Sequence, residues 1–394
     1  MQLKLATHTT PLPLYLVTAL LARLADEGVR VAFVLGAAGR GLSIGQGGFL
    51  VAAFLLPHVL AAPLMGNLAD RSRHKVRLYA LAYLWFGASL LACGLLMGQA
   101  PFVVLLLIAV SGGSVGPLIT GGLSSLLGGL VPPGRLSRAY SLDVSTYNLA
   151  GIAAPALVAL LLGVWGSLPT IALLACGMGL AALGVALLPL NVSAVQTSER
   201  NLLAGVTALW RNIPLRATSL AAGLASVGMG ALPVALALLA QADTNLNPGL
   251  LLSVTAVGAL TGSLVYSLFP LGASRPEQLV LAGAALSGVP FVLLLLNPNP
   301  LWTALLLALV GLISGPAAAS QFAVREREAA PEVKTQVFAL ASGLKVTIAA
   351  LGAALAGVLA PLGGVPLLAL IAVSYFAAAL VGWSLLRSQP SRTA

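Results

Sequence analysis

Charge is scarce in this chain. Of 394 residues only 8% are Asp, Glu, Lys or Arg, and only ten are acidic. A water-soluble domain of this length needs a polar exterior that so few charges do not supply, which excludes one. Cysteine is nearly absent. Cys93 and Cys176 allow no disulfide framework and no metal-binding spacing, and both fall in apolar runs as small packing residues. No G-x-x-x-x-G-K-[ST] loop exists to cradle a nucleotide phosphate, which excludes ATP hydrolysis by that route. No histidine stands in a context that suggests a catalytic triad, so the chain is not expected to be an enzyme. Long polar stretches are missing too, and the longest, residues 191–216, is only a connector.

Apolar residues are abundant. They make up 59% of the chain, and the mean hydropathy is +1.01. A membrane-crossing helix needs roughly 20 apolar residues, and about twelve such stretches fit between short polar breaks. The first covers residues 12–35 and the second 44–68. The fourth covers 101–126, the fifth 139–164, the tenth 301–322 and the eleventh 336–361. Lys4 precedes the first stretch with no small-residue cleavage site behind it, so that stretch is expected to stay as an uncleaved anchor. The fold class is therefore an all-α membrane protein.

The widest break falls mid-chain. It divides the sequence into an N-terminal six-helix bundle (1–190), a cytoplasmic linker (191–213) and a C-terminal six-helix bundle (214–394). The halves echo each other. Gly112-Gly113-Ser114-Val115-Gly116-Pro117 and Gly311-Leu312-Ile313-Ser314-Gly315-Pro316 both read G-x-x-x-G-P, 199 residues apart. Repeated halves in a membrane protein place a binding site near the midplane, between them.

The basic pI of about 10.2 invites a nucleic-acid partner, but the distribution of charge argues against one. With a cytoplasmic N-terminus, sixteen of the twenty Lys and Arg fall in cytoplasmic segments, Arg325 and Arg327 among them. Arg40 alone is external, and Arg23, Arg30 and Lys345 lie inside spans. This is the positive-inside bias, so both termini are expected on the cytoplasmic side. No basic stripe interleaved with stacking aromatics exists for nucleic acid.

Between the second and third spans runs Gly66-Asn67-Leu68-Ala69-Asp70-Arg71-Ser72-Arg73-His74-Lys75. This resembles the loop motif of the major facilitator superfamily, G-x-L-a-D-r-x-G-r-r/k. Gly66, Leu68, Asp70, Arg71 and Lys75 match, whereas Arg73 replaces a glycine and His74 an arginine. The resemblance implies twelve helices in two pseudo-symmetric bundles and transport by alternating access. It implies that the motif holds one mouth shut, with Asp70 near the start of the eleventh span, where a helix N-terminus favours negative charge. Asp143, in the fifth span, is expected to meet an arginine of the basic run. The second half has no counterpart to the motif, since residues 271–275 keep only Arg275. In the fifth span, Gly151 and Pro155 preserve part of the antiporter motif g-x-x-x-G-P-x-x-G-G, and Ala154, Val158 and Ala159 stand where glycines are usual. The fourth span lacks the arginine of many proton-coupled drug antiporters. The texture is similar to bacterial efflux permeases of drugs and siderophores.

Charges inside spans are the candidate site. Arg23, Asp26, Glu27 and Arg30 fall within an arc of about 100° on one helix face. The spacing predicts i,i+4 pairs of Arg23 with Glu27 and of Asp26 with Arg30. A midplane charge is costly in lipid, so the stripe is expected to border an aqueous cavity. There an acid carries a proton or meets substrate, or the set neutralises itself and positions the helix. His58 is a proton-coupling residue or a hydrogen-bonded packing one. Lys345 binds an anion, faces an acid across the cavity, or snorkels. Tyr147 and Asn148 line a pocket or bond between helices.

The expected function is proton-coupled efflux of a small amphipathic molecule. Same-fold import by symport is one alternative, and a channel or non-transporting scaffold is another. No cofactor is expected beyond a proton gradient as energy source. The expected partners are the lipid bilayer, a small-molecule substrate and protons, with no nucleic acid. The expected state is a monomer in a bacterial inner membrane.

Overall fold

In the computed structural model the described residues are 11–72, 74–132, 136–189, 204–242, 245–269, 275–296, 299–330 and 333–388. Arg73, most of the linker and residues 270–274 lie outside them. So do the side chains of Asp70, Arg71 and Asn148.

Among the described residues the first half contains α1 (Leu12–Ala38), α2 (Ile44–Leu55), α3 (Pro57–Arg71), α4 (Lys75–Leu96) and α5 (Phe102–Gly113). Two short helices follow, α6 (Leu123–Ser125) and α7 (Leu127–Leu130), and then α8 (Leu136–Trp165) and α9 (Ser167–Ala186). A short α10 (Ala204–Arg211) leads into the second half. That half consists of α11 (Ile213–Ala242), α12 (Pro248–Leu268), α13 (Pro276–Leu296), α14 (Pro300–Glu328), α15 (Lys334–Leu359) and α16 (Gly364–Arg387). Among the described residues, eleven helical segments are long and apolar enough to cross a membrane. The twelfth expected span is α1. It is 27 residues long but carries Arg23, Asp26, Glu27 and Arg30, so its charge sets it apart from the other spans.

Local chemistry starts several of these helices. Ser43 accepts from the Gln46 N–H while the Gln46 side chain accepts from the Ser43 N–H, a reciprocal cap on α2. Asn247 caps α12 and Asn299 caps α14, each ahead of a proline whose missing N–H is not needed in a first turn. Pro57 divides the second span into α2 and α3.

The fourth span is broken differently. After α5 the chain passes Gly116 and Pro117 into a π-helical turn, Leu118–Gly122, before α6. Its partner in the repeat, Gly315-Pro316, lies inside the continuous 29-residue α14. The tenth span also overruns its expected end at Phe322 by six residues, reaching Glu328. Arg325 therefore lies within a helix that crosses the membrane, not in a loop.

Packing sorts the helices into two groups. In the first, α1 packs on α2, α8 and α9, and α4 packs on α5 and α9. In the second, α11 packs on α15 and α16, α12 on α14, and α13 on α14 and α16. The first core contains an edge-to-face run of Phe33, Phe54 and Phe86. The second stacks Phe291 on Tyr375. Small residues bring backbones together. A Cβ at Gly311 of α14 would stand 2.1 Å from the Thr255 carbonyl oxygen of α12, so only glycine fits.

The two groups meet along a seam. α15 runs along α2 but touches α3 only lightly, and α12 runs along α8. Close contacts lie at one end, where Gly45 meets Gly357 and Gly249 meets Ala159. Toward the end that carries the basic run, contact between α15 and the first group thins to the light one with α3. Many outward side chains are large and apolar, among them Leu107, Leu160, Leu296 and Leu380, as a lipid-facing surface requires.

Candidate functional site

The polar interior begins on the inward face of α1. Arg23 is only 1% exposed, and it faces α8 rather than Glu27. Its guanidinium lies 2.8 Å from Asp143 Oδ1 and donates to the Asp143 carbonyl at 2.7 Å. It also donates to Thr146 Oγ1 and to Ser124 Oγ at 3.1 Å. The Tyr147 ring lies beneath it, 3.4 Å from ring centre to Cζ. Asp143, Thr146 and Tyr147 are spaced i, i+3, i+4 on α8, so one helix face presents a carboxylate, a hydroxyl and an aromatic ring together.

Of this guanidinium only Arg23 Nε is left without a partner, and Asp143 has further donors of its own. Its Oδ1 also accepts from the Tyr15 hydroxyl at 2.7 Å, and its Oδ2 accepts from the Ser124 hydroxyl at 2.6 Å. Ser124 lies just past the π-helical turn, which sets its direction toward α1 and α8. Burying both charges is costly, and this shell of donors and acceptors offsets that cost. The pairing expected between Asp143 and the basic run is thus taken by Arg23. The reason is depth: Asp143 stands two turns inside α8, on the face that packs against α1.

The i,i+4 pattern expected on α1 is also replaced. Arg30 pairs with Glu27 at 2.8 Å, one turn apart at i,i+3, and both side chains are about a quarter exposed at 29% and 27%. Asp26 is 7% exposed and makes no hydrogen bond or ion pair among the described residues. It stands within electrostatic range of Arg30 and Arg23.

Two other expected residues, His58 and Lys345, stand within electrostatic range of the Glu27–Arg30 pair. His58 of α3 feels the Arg30 charge, and its Nε2 lies 3.3 Å from Thr120 Oγ1 on the π-helical turn. Lys345 of α15 lies within electrostatic range of Glu27 and Arg30 from the opposite half. Tyr147 lies apart from this group, under Arg23. Gly66, Asp70 and Arg71 occupy the last turns of α3, and Lys75 opens α4. The contact expected between the Asp70 side chain and the start of α15 lies outside the described residues, as does the Asn148 side chain.

Three residues of this interior were not expected from the sequence. Tyr15 and Ser124 complete the Asp143 shell. Arg325 of α14 is 3% exposed, with its guanidinium 5.6 Å from the Phe322 ring and 5.8 Å from the Phe338 ring. Tyr15, a polar residue in an apolar run, was the one with a readable signal. Ser124 depends on a π-helical turn that no pattern announces. Arg325 sits near Arg327 and so resembled a loop residue.

Together these features define a polytopic helical membrane protein with two bundles and charged side chains at the seam between them. The sequence model of the Major Facilitator Superfamily matches residues 15–353, and the chain belongs to that superfamily. It is a multi-pass membrane transporter and works on a small substrate. It is 27% identical to an uncharacterised MFS-type transporter, y4rN, of Sinorhizobium fredii, over 87% of each chain. It is 26% identical to the multidrug efflux pump Tap of Mycobacterium tuberculosis, over 90% of this chain and 88% of that one. Among solved structures, the nucleoside transporter NupG aligns with a TM-score of 0.73 at 14% identity, covering 96% of this chain and 100% of that one. A bacterial homologue of the human lysosomal transporter Spinster, inward-facing and unoccupied, aligns at 0.67 and 16%, covering 98% and 100%.

Proposed function

We propose that this protein exports a small amphipathic molecule in exchange for protons, by alternating access between two rocking bundles, residues 1–190 and 214–394. The observation that carries the reading is the group at the seam. A partly exposed Glu27–Arg30 pair stands beside the enclosed Asp26 carboxyl, and Lys345 approaches from the other bundle. Charges placed mid-span are costly unless they serve a pathway. Here Glu27 and Asp26 exchange protons with water in the crevice, and Lys345 reports their state to the opposite half. Similarity to an efflux pump supports export.

The packing supports a cycle. The bundles touch at Gly45–Gly357 and Gly249–Ala159, and contact between α15 and the first bundle thins toward the basic run. With that run cytoplasmic, this is a state open to the inside of a bacterial inner membrane. Closure brings the Gly66–Lys75 segment against the start of α15, where Asp70 meets the helix N-terminus. In this reading Arg23 and Asp143 form a pivot under that gate, and the carrier works as a monomer.

Everted and right-side-out vesicles test the reading with a panel of amphipathic dyes. Proton-driven accumulation in everted vesicles only is expected, and it is lost in Glu27→Gln and Asp26→Asn. Accumulation in right-side-out vesicles alone, or wild-type coupling in both variants, contradicts it. A charge reporter fused at Ala330 should read cytoplasmic, and Asp70→Asn should impair transport at normal protein levels.

A further inference from the structure

The second half contains a cation that the transport reading does not use. Arg325 is almost wholly enclosed at 3% exposure, and among the described residues no carboxylate or other hydrogen-bond acceptor meets its guanidinium. Its neighbours are the rings of Phe322 and Phe338, whose centres are 5.9 Å apart. Phe338 and Lys345 are seven residues apart on α15 and so share one helix face. The charges of Arg325 and Lys345 bear on each other. Lys345 makes no ion pair among the described residues. Glu27, the acid in its range, already holds Arg30. Two cations of the second half thus stand within electrostatic range of each other, one of them beside two aromatic rings and neither in an ion pair among the described residues.

We propose that an anionic group of an amphipathic organic molecule binds between Arg325 and Lys345, with its apolar body against Phe322 and Phe338. This rests on the transport reading above and names its substrate class. An enclosed guanidinium without an anion is costly to maintain, and a bound carboxylate, sulfonate or phosphate relieves that cost through charge-assisted hydrogen bonds. Phe322 is 38% exposed and offers an apolar surface beside the guanidinium. An anionic phospholipid headgroup offers the same chemistry as a free organic anion.

Thermal unfolding of the full-length protein in neutral maltoside detergent tests the site, with naphthalene-1-sulfonate against naphthalene-1-methanol. The sulfonate should raise the melting temperature by about 2–4 °C near saturation, and the alcohol should not. Arg325→Met should lose the shift, Arg325→Lys should keep part of it, and Lys345→Met should reduce it. No shift in the wild type, or an equal shift in wild type and Arg325→Met, overturns the proposal. If Arg325→Met does not fold, an undiminished shift in Lys345→Met overturns it instead. In nanodiscs, loss of the shift on adding phosphatidylglycerol to phosphatidylcholine supports the site with lipid as its occupant. Retention supports it with a free anion. Absent proton-driven transport with the sulfonate shift intact removes the transport reading alone. Intact transport without the shift removes the anion site alone.

Discussion

The two halves of this carrier handle buried charge in opposite ways. In the first, Arg23 and Asp143 are enclosed together, and Tyr15, Ser124 and Thr146 add hydrogen bonds to the pair, leaving Arg23 Nε without a partner. In the second, Arg325 is enclosed beside two aromatic rings with no anion on it among the described residues. The repeated G-x-x-x-G-P segment diverges in parallel. In the fourth span it leads into a π-helical turn that brings Ser124 to the ion pair and Thr120 to His58. In the tenth it stays within the continuous helix α14 and interlocks with α12. A self-compensated network stiffens its bundle. An uncompensated cation leaves the other bundle ready for a charge from outside.

The contrast breaks most directly at the ion pair. Asp143→Asn or Arg23→Met alone should destabilise the protein by about 3–5 kcal/mol, because each leaves the other charge buried and unpaired. The double variant Arg23→Met/Asp143→Leu should recover most of that loss in denaturation experiments. Additive costs would mean that the pair is not a unit.

Next in size is the helix contact in the second half. Gly311→Ala should cost about 1–3 kcal/mol, since backbone atoms of α12 occupy the space its methyl group needs. Gly177→Ala, on α9 with nothing within 4 Å, should instead be neutral or stabilising by up to about 1 kcal/mol. Melting temperatures of the two variants should move apart in sign.

Arg325→Met should leave stability unchanged or raise it by about 1 kcal/mol or more in the absence of anions. A loss comparable to that of Arg23→Met would erase the difference between the halves. The smallest effect on stability belongs to Glu27→Gln. A partly exposed pair contributes less than about 1 kcal/mol, so its melting temperature should stay near wild type while proton coupling in vesicles disappears.

Much of the architecture was legible because lipid imposes it. Spans, short loops and the repeat follow from apolar length and from glycine placement. The four charges of α1 were visible as an anomaly, and His58 and Lys345 stand within electrostatic range of Arg30. Their partners were not visible. Helical spacing suggested Arg23–Glu27 and Asp26–Arg30, yet Arg23 turns to Asp143, 120 residues away, and Arg30 turns to Glu27. The overrun of α14 past Phe322 was hidden as well, because Arg325 and Arg327 look alike in sequence. The structure buries one and pairs the other with Glu277 at 2.9 Å.

The amino-acid order alone determined that this chain crosses a bilayer many times and which segments do so, because transfer of apolar length into lipid is a local property that each span carries by itself. It also announced the superfamily, through the Gly66–Lys75 segment. Tertiary structure alone decided which buried charges neutralise one another and which stay open to a ligand. Those choices depend on helix rotation and on contacts between residues far apart in the chain, where a shift of one position along a helix turns a side chain by about 100° toward a different neighbour.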